Sequence, residues 1–143
     1  MTGVGAFALP AGSKDAAIVA ALPAADHSAT LASADGSTGV GFREVDEASG
    51  FGTGSLVNAS TLSFVGTGDS LLIPGFVIGG KGNLRVLVRA VGPGLSPFGV
   101  PNLLADPTLT LYRDGAPLMS NDDWSAGAGS ADLAAAAKAA GAF

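Results

Sequence analysis

The chain has 143 residues, 48% hydrophobic and 13% charged, with a formal net charge of −5. That length suits one domain with a real core, and the acidic balance, with no run among the seven basic residues, excludes a binder of phosphate backbones. The absence of cysteine excludes a disulfide framework and a thiolate metal site, and no apolar run reaches the roughly 20 residues of a membrane span.

Residues 1–15 carry "GVGAFALPAGSKD" but no basic and apolar leader, so we expect any export signal, and the biological start, to lie outside this window. "AAIVAAL" at Ala16–Leu22 is short, apolar and bounded by Asp15 and Pro23, which predicts a strand. "HSATLAS" predicts a second strand running into the Asp35-Gly36 turn, and "VGFREVDE" a third with one weakly buried face. His27 reads as a solvated loop residue.

Residues 48–54, "ASGFGTG", read as a linker. They divide a first block, 1–47, from a second, 55–143. In the second block "SLVNAST" and "LLIPGFVIGG" read as strands, with Pro74 placing the latter at an edge or bulge. "NLRVLVRAV" is the clearest strand, with Val86 and Val88 on one face and Arg85, Leu87 and Arg89 on the other. A Pro- and Gly-rich loop follows, then a hairpin turning at Arg113-Asp114-Gly115. Only Ser130–Ala140 looks helical, with Ser130 as N-cap, Asp132 in the first turn and Lys138 in the last. Many short strands with turn signals predict an all-β chain, a β-sandwich of jelly-roll or immunoglobulin style, with one short Ala-rich helix near its end.

The chain closes on Gly141-Ala142-Phe143 and opens with Gly5-Ala6-Phe7. Joined, the two ends read as helix, turn and strand, which predicts a seam between successive copies of a repeat. Phe7 and Phe143 would then occupy equivalent sites.

"RVLVRAVGPGLSPFGVPNLLADPTLTLYRDGAPLMSNDDW", with "GAFALPAGSKDAA" and "STGVGFREVDE", resembles a repeat module of long, secreted, repeat-rich bacterial surface proteins, cyclically permuted here. "DPTLTLYRDG" through "SNDDW" is more faintly similar to the bacterial pre-peptidase C-terminal domain, a small extracellular β-sandwich. Ala24-Ala25-Asp26-His27-Ser28 departs from that family's turn. The resemblance implies an extracellular or cell-surface location and a structural role.

The chemical motifs are incomplete. Gly68-Asp69-Ser70-Leu71 spells a lipase signature, but the single histidine, His27, lies upstream and no acid–histidine pair follows; a turn before a strand accounts for it. Gly75–Gly82 nearly spells a phosphate loop, but Gly82 stands where Mg²⁺ needs a hydroxyl, so it reads as a turn between strands. Asp106, Asp114, Asn121, Asp122 and Asp123 form a candidate calcium set, against the alternative that Asx residues simply bond the backbone at turns. Trp124 reads as a core anchor, and Asn58-Ala59-Ser60 matches a glycosylation sequon.

These readings converge on a structural repeat unit of an extracellular bacterial fibre or surface array. It is expected to be no enzyme and to use no cofactor beyond candidate calcium. Its expected partners are copies of itself, added head to tail by strand complementation, residues 2–47 completing the preceding unit. The alternative is a calcium- or carbohydrate-binding module of a secreted protein.

Overall fold

The computed structural model describes residues 8–48, 58–126 and 129–140. Six strands follow in chain order: β1 (Ala16–Ser33), β2 (Gly39–Glu47), β3 (Asn58–Val65), β4 (Gly75–Val91), β5 (Pro107–Arg113) and β6 (Ala116–Asn121). A 3₁₀ turn, Pro93–Phe98, links β4 to β5, and one helix, α1 (Ser130–Ala139), follows β6. The described residues are all-β apart from these turns of helix. Its described strands lie in one antiparallel sheet of order β3-β2-β4-β1-β5-β6, not in two separate sheets. Both sequence blocks contribute: β1 and β2 come from the first and are interior strands between members of the second. Of the expected linker, Ala48 is described and buried; residues 49–54 lie outside the described residues.

The two longest strands each merge two segments that read separately in the sequence. Pro23 pairs with Asn83 and Ala25 with Ile78, so Ala24 alone opposes Gly79–Gly82. This bulge exchanges the faces of β1. Before it the even-numbered Ala16, Ile18 and Leu22 enter the main core; after it the odd-numbered Ala29 and Leu31 do. Gly80 and Gly82 have φ of 91° and 95°, left-handed values open to glycine without strain. The glycine run that reads as a turn between strands is therefore a kink inside β4.

The main core draws Val45 from β2, Val65 from β3, Val86 and Val88 from β4, and Leu109 and Leu111 from β5 onto one face of the sheet. Leu31 on β1 and Gly41 on β2 come together there although β4 separates their strands: a Cβ at Gly41 would stand 2.8 Å from Leu31 Cδ2. The sheet thus curls around its own core. The chain after the 3₁₀ turn seals one end, where Val40 N–H donates to Asn102 O at 2.6 Å and Leu104 N–H to Val40 O at 2.9 Å. Gly92 permits this crossing, since a Cβ there would lie 2.1 Å from Leu104 O.

The opposite face of β1 and β4 is covered by α1. Leu133 and Ala136 pack on Ala17 and Leu87, with Trp124 and Leu9 at the margin. The expected split of β4 holds: Val86 and Val88 face the main core, Leu87 and Arg89 the helix side. The helix starts at the expected cap residue itself, one residue earlier than the sequence predicts. Gly129 is the N-cap and makes no side-chain bond, while Ser130 is already helical; the ion pair of Asp132 with Arg85 ties the first turn to β4. At the β5–β6 turn Asp114 and Gly115 both have positive φ, 49° and 80°, as a tight two-residue hairpin requires.

Candidate functional site

The two edges of the sheet differ in kind. An edge strand presents unpaired N–H and C=O groups, and soluble proteins blunt such edges with charge, proline or a bulge. β6 is blunted twice: Pro117 lacks an N–H, and the register slips at Leu118 between the pairs Leu111–Met119 and Tyr112–Pro117. β3 has neither device. Its sequence "NASTLSFV" carries no charge and no proline, and it pairs without interruption with β2 from Asn58 to Val65. Leu62 and Phe64 on this strand are 54% and 61% exposed, opposite Phe42 and Val40 of β2. No further strand lies beyond β3 among the described residues. The sequon Asn58-Ala59-Ser60 falls on this strand.

Behind that edge, β2 is buried on both faces, not on one weak face as its alternation predicts. Glu44 and Arg89, on the helix side, form a buried ion pair, with Arg89 Nε donating to Glu44 Oε2 at 3.0 Å. Arg43, on the core side next to Val45, is 4% exposed, and its Nε and Nη1 find no partner. Burial pulls its guanidinium below the ordinary arginine value. The sequence pattern missed these groups because a charged residue in an alternating strand reads as solvent-facing.

A second buried carboxylate, Asp15, organises the end of β4. Its Oδ1 accepts from Gly92 N–H at 2.7 Å and its Oδ2 from Gly94 N–H at 3.1 Å and Ser13 Oγ at 2.7 Å. Ser13 Oγ also accepts from Trp124 Nε1, which reaches Pro10 O as well. Trp124 is thus a half-buried wall rather than a central core residue.

The candidate calcium residues do not all converge. Asp106, Asp122 and Asp123 gather around Lys14, whose Nζ lies 3.1 Å from Asp106 Oδ2 and 4.0 Å from Asp123 Oδ1. The hydrogen bond that Lys14 Nζ donates to Asp106, with the charges of Asp106 and Asp123, raises the Lys14 pKa. Asn121 is turned inward, its Oδ1 accepting from Ala17 N–H at 2.9 Å. Asp114 stands apart at the β5–β6 turn beside Arg113. Among the described residues no group of three or more His, Cys, Asp or Glu side chains is placed so that it could hold a metal ion.

The remaining motifs part company. Ser70 lies in an exposed turn closed by the bond from Gly66 N–H to Ser70 O. His27 is not in a solvated loop: it is 3% exposed within β1, stacked on Phe76, with Nε2 against Pro23 O at 3.0 Å. The bulge that flips β1 puts it inside. The seam residues Gly5, Ala6, Phe7, Gly141, Ala142 and Phe143 lie outside the described residues. Their described neighbours converge: Ala8 and Leu9 line one apolar cavity of about 290 Å³ together with Ala137 and Lys138 of α1. A helix long and apolar enough to cross a membrane does not occur among the described residues. No family model matches this sequence, and neither the curated proteins nor the solved structures yield a match.

Proposed function

We propose that the chain is a structural unit of an extracellular bacterial assembly, joined to neighbouring units by strand addition at a sheet edge. The observation that carries this reading is β3, an edge strand of eight residues with no charge, proline or bulge and with Leu62 and Phe64 exposed. Pairing there satisfies the strand's open backbone groups and removes an edge that otherwise invites aggregation. The sandwich expected from the sequence is, in this reading, the single sheet folded at the Pro23–Ala25 bulge so that its halves face across the main core, strands changing layer at a bulge. Residues 16–47 complete their own sheet in this arrangement, so joining of units falls to the edge. The module is read as non-enzymatic. The calcium alternative draws no support from the acidic cluster, where the ammonium of Lys14 already supplies a positive charge.

Sedimentation velocity over a wide concentration range, with negative-stain electron microscopy of the concentrated protein, tests the reading. Concentration-dependent assembly is expected. A folded chain that remains monomeric at the highest concentration overturns it.

A further inference from the structure

We propose that β3 pairs with β3 of a second copy, antiparallel and about a two-fold axis through Ser63. This rests on the reading of β3 as an assembly edge and names its partner.

The argument starts from which strand can pair with it. β6 of another copy is the alternative, but Pro117 removes a donor and the bulge at Leu118 twists that edge out of register. β3 is the intact edge, and its lack of charge means that self-pairing sets no like charges opposite each other. A two-fold axis perpendicular to the sheet keeps the outer face of one copy continuous with the outer face of the other. Residues opposite each other must then share parity.

Among such registers, the one centred on Ser63 matches apolar with apolar. Leu62 stands opposite Phe64 of the second copy, and Phe64 opposite its Leu62. Thr61 pairs with Val65, and Ser63 with itself. Val40 and Phe42, which flank Phe64 and Leu62 on β2, extend the joined patch on both sides. Moving the axis to Leu62 sets Phe64 opposite Ser60, and moving it to Phe64 sets Leu62 beyond the end of the partner strand. The contact is isologous and closes on itself, so by itself it makes a dimer with one continuous sheet; any longer array requires a second contact elsewhere.

The chain has no cysteine, which gives a clean test. In the Ser63→Cys variant the two thiols face each other across strands whose spacing lies within disulfide reach. Mild oxidation is expected to give a covalent dimer on non-reducing gels, with little from Ser60→Cys or Ser120→Cys controls. Ser63→Lys and Ser63→Asp are each expected to sediment as monomers, and their equimolar mixture as a dimer. A dimeric parent protein whose Ser63→Cys variant forms no cross-link, or whose charged variants show no rescue in the mixture, overturns the two-fold pairing and leaves the assembly reading standing. A parent chain monomeric throughout overturns both.

Discussion

Glu44 and Arg89 stand directly opposite each other on β2 and β4 and form an ion pair whose side chains are 5% and 1% exposed. Two charges withdrawn this far from water hold each other in place, and neither is tolerable alone. The pair lies on the helix side of the sheet, and Arg89 borders the cavity beneath α1. Glu44→Gln should therefore destabilise the fold by about 3–5 kcal/mol, because it leaves a buried guanidinium uncompensated. Replacing both together, Glu44→Leu with Arg89→Met, should recover most of that loss. Urea denaturation of the three variants beside the parent checks both statements.

Asp15 collects the N–H groups of Gly92 and Gly94 at the end of β4. Asp15→Ala leaves both buried donors without an acceptor. We expect a loss of about 2–6 kcal/mol, roughly one to three for each orphaned group. Amide hydrogen exchange at Gly92 and Gly94 should quicken along with it, whereas a purely global effect would raise exchange in every strand alike.

The Asp35 carboxyl is held at about 2, below its ordinary 3.8, by hydrogen bonds from Ser33 Oγ and from Ser37. A lowered folded-state value means that the stabilising contribution is present above the unfolded value and is lost as pH falls from about 4 to about 2. Carboxyl-carbon NMR titration should find the Asp35 midpoint near 2 in the parent and shifted upward in Ser33→Ala.

Asp122 runs the other way. Desolvation in its loop first, then the charges of Asp106 and Asp123, raise its carboxyl above the ordinary value against the pull of Lys14. A raised folded-state value means that the ionised carboxylate opposes folding, so Asp122→Asn should raise the thermal midpoint at neutral pH. The gain should vanish on acidification below about pH 4, where the carboxyl is protonated in both states. Thermal melts of variant and parent from neutral to acidic pH decide it; a lower midpoint at pH 7 would contradict the sign.

The strand segments, the facing of β4, the Asp114-Gly115 turn and the position of the helix are legible in the local sequence. Each depends on residues within a few positions of one another. Alternation sorted Val86 and Val88 from Leu87 and Arg89 without help, because a strand's side chains must point to opposite faces. What joins what depends on contacts between distant parts of the chain. Pro23 looked like the end of a strand, yet it begins a bulge inside β1, because Ala24 is the one residue opposite four of β4. That slip changed the face of everything after it and buried His27, which local pattern had left in solvent. Glu44, Arg43 and Asp15 were equally illegible, since a charge reads as exposed until a partner far along the chain covers it. Arg89 comes from 45 residues beyond Glu44, and Gly92 from 77 beyond Asp15. The difference between a blunted β6 and an open β3 likewise depends on which strands end the sheet, and strand order is a property of the fold alone.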